Sequence, residues 1–572
     1  MPQGLAKACP NLSDLDLSHN EFSGAFEARR NLPRSLLRLN AQGNRKMKSI
    51  DDDTLAPLSN LVLLGLKSCS LESLPGPALG KLTRLRELYV TDNRLRELPR
   101  EIGRCTSLVK LQASFNLLET LPVAELAKLP KLEMLRAAAC RISSLPGLEE
   151  LYSKKKGKEK KSNNKGGFRS LCWLSLAGNP LFDACVPPPR PEAARVFSLD
   201  EVLSKGFQGE ELGSGASGDV TAVRFDADGS GKKKKSSSSK CSSKDETISP
   251  PPPTLAFKRF RGDAGPDGRA VDEVSVARAV SHGALASTVG TVVAAAVEKE
   301  GKKKKKSGKG TAAASAATVL ASSSTTTDLP HATASIEPSP SADALPAGLL
   351  LELIEGKPLA DKPRGDPLLR CTWPKKKLPS SKKSTSNPST SSTSSTSQNL
   401  NSQRLSPTSA LVAAARLASG LAHLHADLGC AHGDFYAHNV LCEAEKGRAT
   451  LVDFGAAFFY RRREAAEEEG EPSSSPPSSS SCSPPSSSAF EAFEQRAFGI
   501  FLRELAEHGI EEEEEGGGER GEKARKALER AAAAAADAPL AQRPGFSLLA
   551  RELARAATEE CGYDGQELCL SS

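Results

Sequence analysis

Asp434 and Asn439 stand five residues apart in 432-HGDFYAHNVL-441, and 453-DFG-455 follows directly behind the apolar segment 449-ATLV-452. A carboxylate in such a loop can orient an attacking hydroxyl and accept its proton, the role that suits Asp434. The amide oxygen of Asn439 and the carboxylate of Asp453 are hard oxygen ligands of the kind Mg²⁺ takes. Base and metal ligands together are what phosphoryl transfer requires, because the metal neutralises charge developing on the phosphates. Taken singly, an Asp or an Asn in a loop is more often a turn residue. Their order along the chain gives them weight.

Upstream, 212-LGSGASGDV-220 places Gly213, Gly215 and Gly218 in a G-x-G-x-x-G pattern, with Val220 two positions further on. Glycine lets a backbone approach phosphate oxygens without a Cβ clash. A dinucleotide-binding turn of this pattern opens a helix, whereas here 221-TAVRF-225 is β-branched and aromatic and predicts a strand, so the glycines sit in a hairpin. A second alternating strand, 255-LAFKRF-260, carries Lys258, and a helix is predicted over 270–281. That helix offers Glu273 as a partner for Lys258; Asp272 is next door, and the longer acid better suits the reach.

In this order the motifs resemble the eukaryotic protein kinase superfamily, and with the repeats described below the chain is similar to leucine-rich-repeat protein kinases. The resemblance implies a two-lobed α+β fold with Lys258 on the α- and β-phosphates of ATP, Glu273 holding Lys258, and Asp434 as catalytic base. Asn439 and Asp453 are then the Mg²⁺ ligands, and Gly213, Gly215, Gly218 and Val220 cover the nucleotide. The run 349-LLLELIEGKPLA-360 resembles the strand and hinge beside adenine, with Leu351 at the gatekeeper place and the backbone from Glu352 to Ile354 receiving the base. His432 packs within the catalytic loop, 498-FGIFLREL-505 resembles the buried helix of the large lobe, and Arg543-Pro544 resembles a pair near the end of the fold. The implied activity is transfer of the γ-phosphate of MgATP to a protein hydroxyl, Ser/Thr by analogy.

Departures from the family pattern matter as much. Gly433 replaces the Arg that would hold a phosphorylated activation loop, and Tyr436 stands where serine/threonine kinases commonly have Lys. Glu494 replaces an Asp expected to hold the catalytic-loop backbone. No A-P-E motif is visible, and Arg543 lacks the Glu that usually pairs with it. These losses keep a non-enzymatic pseudokinase scaffold in view. H-G-D-x-x-x-x-N also resembles the aminoglycoside and choline kinase group, which keeps a small-molecule phosphotransferase open.

A second kind of sequence, in which no enzyme chemistry is visible, occupies the N-terminus. L-x-x-L-x-L-x-x-N/C recurs with its last position at Asn20, Asn44, Cys69, Asn93, Asn116, Cys140 and Asn179. A spacing of about 24 residues is a leucine-rich-repeat period. The leucines fill the interior, and a protein partner is expected on the strand positions between them, such as Arg86, Glu87, Tyr89 and Thr91. Ala41, Ala113 and Ala137 replace larger residues and predict looser turns.

The expected organisation is an α/β leucine-rich-repeat solenoid over 1–185, a linker over 186–206, the kinase-like fold over 207–563 and a tail over 564–572. Low-complexity inserts at 230–253, 299–342, 375–406 and 463–488 belong on surface loops, and 511–522 is expected to be another, ahead of a helix over 523–537. The formal net charge of +7 resides in runs such as 232-KKKK-235 and 302-KKKKK-306, so a nucleic-acid surface is not expected. Thirteen cysteines without a C-x-x-C pair argue against a disulfide framework and a zinc site. No apolar run reaches the ~20 residues of a membrane span, and a cytoplasmic location is expected.

Overall fold

The computed structural model describes residues 4–26, 31–148, 168–185, 187, 190, 195–214, 217–225, 254–263, 265, 268–294, 346–361, 373, 404–461, 487–511, 518–539 and 542–563. Most of the four expected low-complexity inserts falls outside these residues. The fold is mixed α/β.

Seven short strands form one parallel sheet in chain order: β1 (Asp14–Asp16), β2 (Arg38–Asn40), β3 (Leu63–Gly65), β4 (Glu87–Tyr89), β5 (Lys110–Gln112), β6 (Met134–Arg136) and β7 (Trp173–Ser175). In each the middle residue points inward, so Leu88 pairs in register with Leu111 and Leu64. The inward leucines from β2 onward are buried, Leu15 of β1 only partly, and each buried one removes enough apolar surface to contribute about 2 kcal/mol. The repeat asparagines bind the turns. Asn93 Nδ2 donates to Leu66 O at 2.8 Å and Val90 O at 2.9 Å, and its Oδ1 accepts from Leu71 N at 3.0 Å. Asn116 and Asn179 repeat the arrangement one and three turns later. Cys69 and Cys140 substitute with weaker S–H donors to carbonyls of the preceding turn. Ala41, Ala113 and Ala137 are all buried. Two positions expected on the open face are not there: Glu87 is buried beneath Tyr89, whose hydroxyl donates to it, and Thr91 is buried in the following turn.

A six-stranded sheet follows, in the order β8-β12-β13-β11-β10-β9. Its strands are β8 (Val196–Ser198), β9 (Gly206–Ser214), β10 (Gly218–Phe225), β11 (Thr254–Phe260), β12 (Thr288–Val293) and β13 (Pro346–Glu352). Helix α1 (Leu199–Lys205) precedes β9, and α2 (Ala270–Ala279) lies between β11 and β12. The stretch expected to be a linker therefore carries structure: β8 pairs parallel to β12. Val202 of α1 is buried with Val223, Phe257, Val292 and Leu350.

The remaining described chain is largely helical: α3 (Pro407–Ala422), α4 (Ser487–Glu504), α5 (Gly518–Ala532) and α6 (Phe546–Glu559). Ser406 caps α3 by accepting from Ser409 N, with Pro407 in the first turn, which is a strong start signal. The end of the insert expected to run to 406 is thus ordered, and Leu405 bridges to Ile510. Helix α5 begins at Gly518, inside the loop expected over 511–522, and continues as a π-helical turn over Ala533–Asp537. Small strands β14 (Lys357–Pro358), β16 (Val440–Glu443) and β17 (Arg448–Leu451) form one sheet, while β15 (Cys430–Ala431) pairs with β18 (Phe458–Phe459).

One hydrophobic core runs from the repeats into this helical region. Phe182 packs its ring on Phe458 at 5.4 Å and Phe490 at 5.9 Å, and Phe168 meets Phe493 edge-on at 5.7 Å. No helix among the described residues is long and apolar enough to cross a membrane, and the nine described cysteines are free thiols.

Candidate functional site

Lys258 sits in the middle of β11, in register with Val220 on one side and Leu349 on the other. Its Nζ lies 2.5 Å from Glu273 Oε1 and 3.0 Å from Asp453 Oδ1. Helix α2 thus presents Glu273 to the strand, whereas Asp272 turns outward to pair with Arg269. Burial alone disfavours the ammonium, but Glu273 and Asp453 outweigh it and hold Lys258 above its ordinary range. Burial raises the Glu273 carboxyl against the opposing pull of Lys258. Asp453 adopts a left-handed backbone, φ 68°, which is costly for a non-glycine and aims its side chain at this pair.

These groups open on a cleft of about 390 Å³ between the six-stranded sheet and the helical region. Its walls are apolar, with Ala256, Leu349, Leu351, Leu441 and Val452; its polar points are Lys258, Glu273, Asn439 and Asp453. An apolar slot with a few convergent polar groups is the usual form of a small-molecule site. Gly213, Gly218, Val220, Glu352 and Ile354 also line it, while Gly215 lies outside the described residues. The two described glycines differ. A Cβ at Gly213 would meet nothing within 4 Å, whereas one at Gly218 would fall 2.3 Å from Arg259 O. Gly218 is therefore required by its neighbouring strand, and Gly213 is not required by any contact of its own.

Asp434 is tied to the edge of the cleft through Asn439, whose Nδ2 donates to Asp434 O at 2.9 Å and approaches Oδ2 at 3.4 Å. The loop behind them is locked. His432 is fully buried, with Nδ1 accepting from Asp434 N at 3.4 Å and Nε2 facing Val452 O at 3.2 Å, which fixes Nε2 as the protonated nitrogen. Glu494 accepts from His432 N at 3.0 Å and Gly433 N at 2.9 Å, and its Oε2 lies 2.7 Å from His425 Nε2. Burial works against this carboxylate, but the bond and charge of His425 and the loop amides prevail and hold it below the usual range. Arg543 donates to the carbonyls of Ala492, Ala536 and Ala538.

Sequence reasoning missed the repeat residues that reach this loop. Arg136 of β6 places NH2 2.6 Å from Asp434 Oδ1, with the two side chains only 10% and 14% exposed. Trp173 of β7 stacks on Tyr436 at 4.3 Å and donates from Nε1 to Phe435 O at 2.9 Å. Ser175 donates to Ala456 O at 3.0 Å. Gly433, with φ 77°, stands where a Cβ would lie 2.6 Å from Ala456 O and 2.8 Å from Leu174 O. The side chain absent at Gly433 is thus accounted for by its left-handed backbone and by the two carbonyls, one from Ala456 and one from the repeat strand, that fill its place. A Trp at a strand position between repeat leucines was the one visible signal; Arg136 gave none.

Among curated proteins, Osteomodulin of Rattus norvegicus is 31% identical over 145 residues, covering 25% of this chain and 33% of that protein. Adenylate cyclase of Podospora anserina is 27% identical over 258 residues, 35% of this chain and 11% of its own length. A Probable serine/threonine-protein kinase of Dictyostelium discoideum is 33% identical over 115 residues, 20% of this chain and 4% of its own length. The chain spans a third or less of each of these relatives. No protein-family model matches it.

Proposed function

We propose that the chain is a protein kinase that transfers the γ-phosphate of MgATP to a protein hydroxyl, serine or threonine in preference, in the cytoplasm, with its leucine-rich repeats engaging other proteins. On this reading the six-stranded sheet and the helical region are the two lobes of the kinase fold, within 207–563. The observation that carries it is the convergence of Lys258, Glu273, Asp453 and Asn439 on one apolar cleft beside Asp434, from segments far apart in the chain. The similarity to a Probable serine/threonine-protein kinase adds support.

The residues suit the ligands. Leu351 and Ile354 offer an apolar slot for a purine, and Lys258, kept charged by Glu273, meets phosphate oxygens. No group of three or more His, Cys, Asp or Glu side chains among the described residues could hold a metal alone. A cation held by Asn439 and Asp453 would share its shell with phosphate oxygens and water, the habit of Mg²⁺. When bound, Mg²⁺ neutralises charge on the phosphates. Asp434 orients the substrate hydroxyl and takes its proton as the oxygen forms its bond to the γ-phosphorus. The bond from that phosphorus to the β,γ-bridging oxygen breaks, and its electron pair leaves on ADP. Glu494 and His432 keep Asp434 in place.

The test is label transfer from γ-radiolabelled MgATP to the protein itself and to a mixed peptide library. The intact chain is expected to incorporate label on Ser or Thr, and Asp434→Ala and Lys258→Met to lose at least about 10³-fold. Label on an aminoglycoside or choline but on no peptide, or equal transfer by the variants, would refute the proposal.

A further inference from the structure

We propose that the last turn of the repeats fixes helix α2 in the place where Glu273 meets Lys258, and that Gly178 is the positioning residue through which it does so. The inference rests on the reading of Lys258 and Glu273 as the pair that handles phosphate. Helix α2 is ten residues long, has no side-chain cap at Arg269 and contains three valines, so it is too short and too poor in helix formers to stand without neighbours. It lies between two of them. Glu273 and Ala277, one turn apart, line the cleft. Asp272, Ser275 and Val276 line a separate hollow of about 40 Å³ together with Gly178, Phe182 and Asp183 of the repeat end.

The approach is closest at the start of α2. A Cβ at Gly178 would fall 2.6 Å from Arg269 Nε and 2.6 Å from Asp272 Oδ2, the two halves of the ion pair beside Glu273. A Cβ at Gly268, just before the helix, would meet Gly455 O at 2.8 Å and Ala177 Cβ at 3.6 Å, so the repeat end, the helix start and the loop of Asp453 converge. The bonds and charge of Asp272 and the charge of Asp183 outweigh burial and hold the Arg269 guanidinium above its ordinary range. At the other end of α2, Arg190 N, beyond the last repeat, donates to Arg278 O at 3.0 Å, one of the carbonyls that a helix leaves unpaired.

Backbone handedness does not account for the glycine. Gly178 precedes the repeat Asn179 with φ 66°, and the equivalent residues His19, Gly43, Ser68, Asp92, Phe115 and Ala139 are left-handed too. The turn itself therefore accepts a side chain, even a phenylalanine, and what excludes one at 178 is α2. Asp272 and Glu273 are successive residues, so a group that pushes on the first displaces the second.

The experiment compares the full chain with Gly178→Ala, Gly178→Phe and, at the far end of the solenoid, Gly43→Phe, where a Cβ meets the ring of the exposed His19. Label transfer gives kcat, and hydrogen–deuterium exchange follows peptides over 270–279. Gly178→Phe is expected to lower kcat about 10²-fold, the cost of moving a positioned group by ~1 Å, and to speed exchange over 270–279, with Gly178→Ala doing less of both. Gly43→Phe is expected to leave both within about twofold. In a Glu273→Gln background, Gly178→Phe is expected to cost no more than about twofold further, because two changes that act through one contact do not add, whereas a merely structural defect would multiply. Should Gly178→Phe fail to fold, Gly178→Ala carries the same comparisons. Unchanged exchange over 270–279, an equal loss from Gly43→Phe, or a full further loss in the Glu273→Gln background overturns the proposal. If the intact chain transfers no phosphate, the proposed function fails, and exchange over 270–279 still decides whether the repeats hold α2.

Discussion

The two ends of the repeat solenoid share one local geometry and meet different surroundings. At the first strands, the outward positions Asp14, Asp16 and Arg38 are exposed. At the last two, the equivalent positions Met134, Arg136, Trp173 and Ser175 are buried, with Arg136 and Trp173 against the loop that carries Asp434 and Ser175 against Ala456. Strand length, register and inward leucines are the same at both ends. Repeat periodicity thus determines what faces the interior and is silent about the outward row, whose fate depends on the element across from it. The first strands, the open end, keep exposed charges of both signs, and the last two, the closed end, pack on the candidate site.

The largest effect that separates the ends is expected from Trp173→Ala. Losing a buried indole, its stack on Tyr436 and its bond to Phe435 O should cost about 3–5 kcal/mol in chemical denaturation. A smaller, pH-dependent difference comes from Glu494, whose depressed carboxyl holds the amides of His432 and Gly433. A carboxylate with a lowered folded-state pKa gives its full stabilisation above its ordinary value of about 4.3, and the contribution fades as pH falls through the folded value. Acid should therefore loosen the closed end below about pH 4. Trp173 fluorescence in a Trp373→Phe background would follow this, and Glu494→Gln should remove the acid step. The smallest effect belongs to the open end: Arg38→Ala breaks an exposed pair with Asp14 and should change stability by no more than about 0.5 kcal/mol. A loss there as large as that for Trp173 would erase the distinction between the ends.

Much of this arrangement was legible in the sequence because its signals are local. The Asn and Cys positions marked every turn of the solenoid, and the strand carrying Lys258 forms where the sequence placed it, although Ala256, Phe257 and Lys258 are buried in succession and do not alternate. Glu273 rather than Asp272 reaches Lys258, as side-chain length suggested. What was not legible depends on contacts between distant segments. Glu87 and Thr91 read as exposed because the pattern places them outward, yet Tyr89 and the next turn cover them. Residues 518–522 read as loop because Gly and Glu dominate, although helix α5 buries Gly521 and Ala524. Gly433 read as a loss, and its left-handed backbone and the carbonyls of Ala456 and of Leu174 in a remote repeat explain it.

The most direct measurement of the claim that the closed end and the loop of Asp434 form one unit is hydrogen–deuterium exchange of the full chain, with and without Trp173→Ala. Peptides spanning 171–177 and 430–440 are expected to be protected to the same extent and to lose protection together in the variant, while peptides over 36–42 are unchanged. Exposure of 171–177 with full protection retained over 430–440 would contradict it, because the repeats would then be a neighbour of the site and not a part of it.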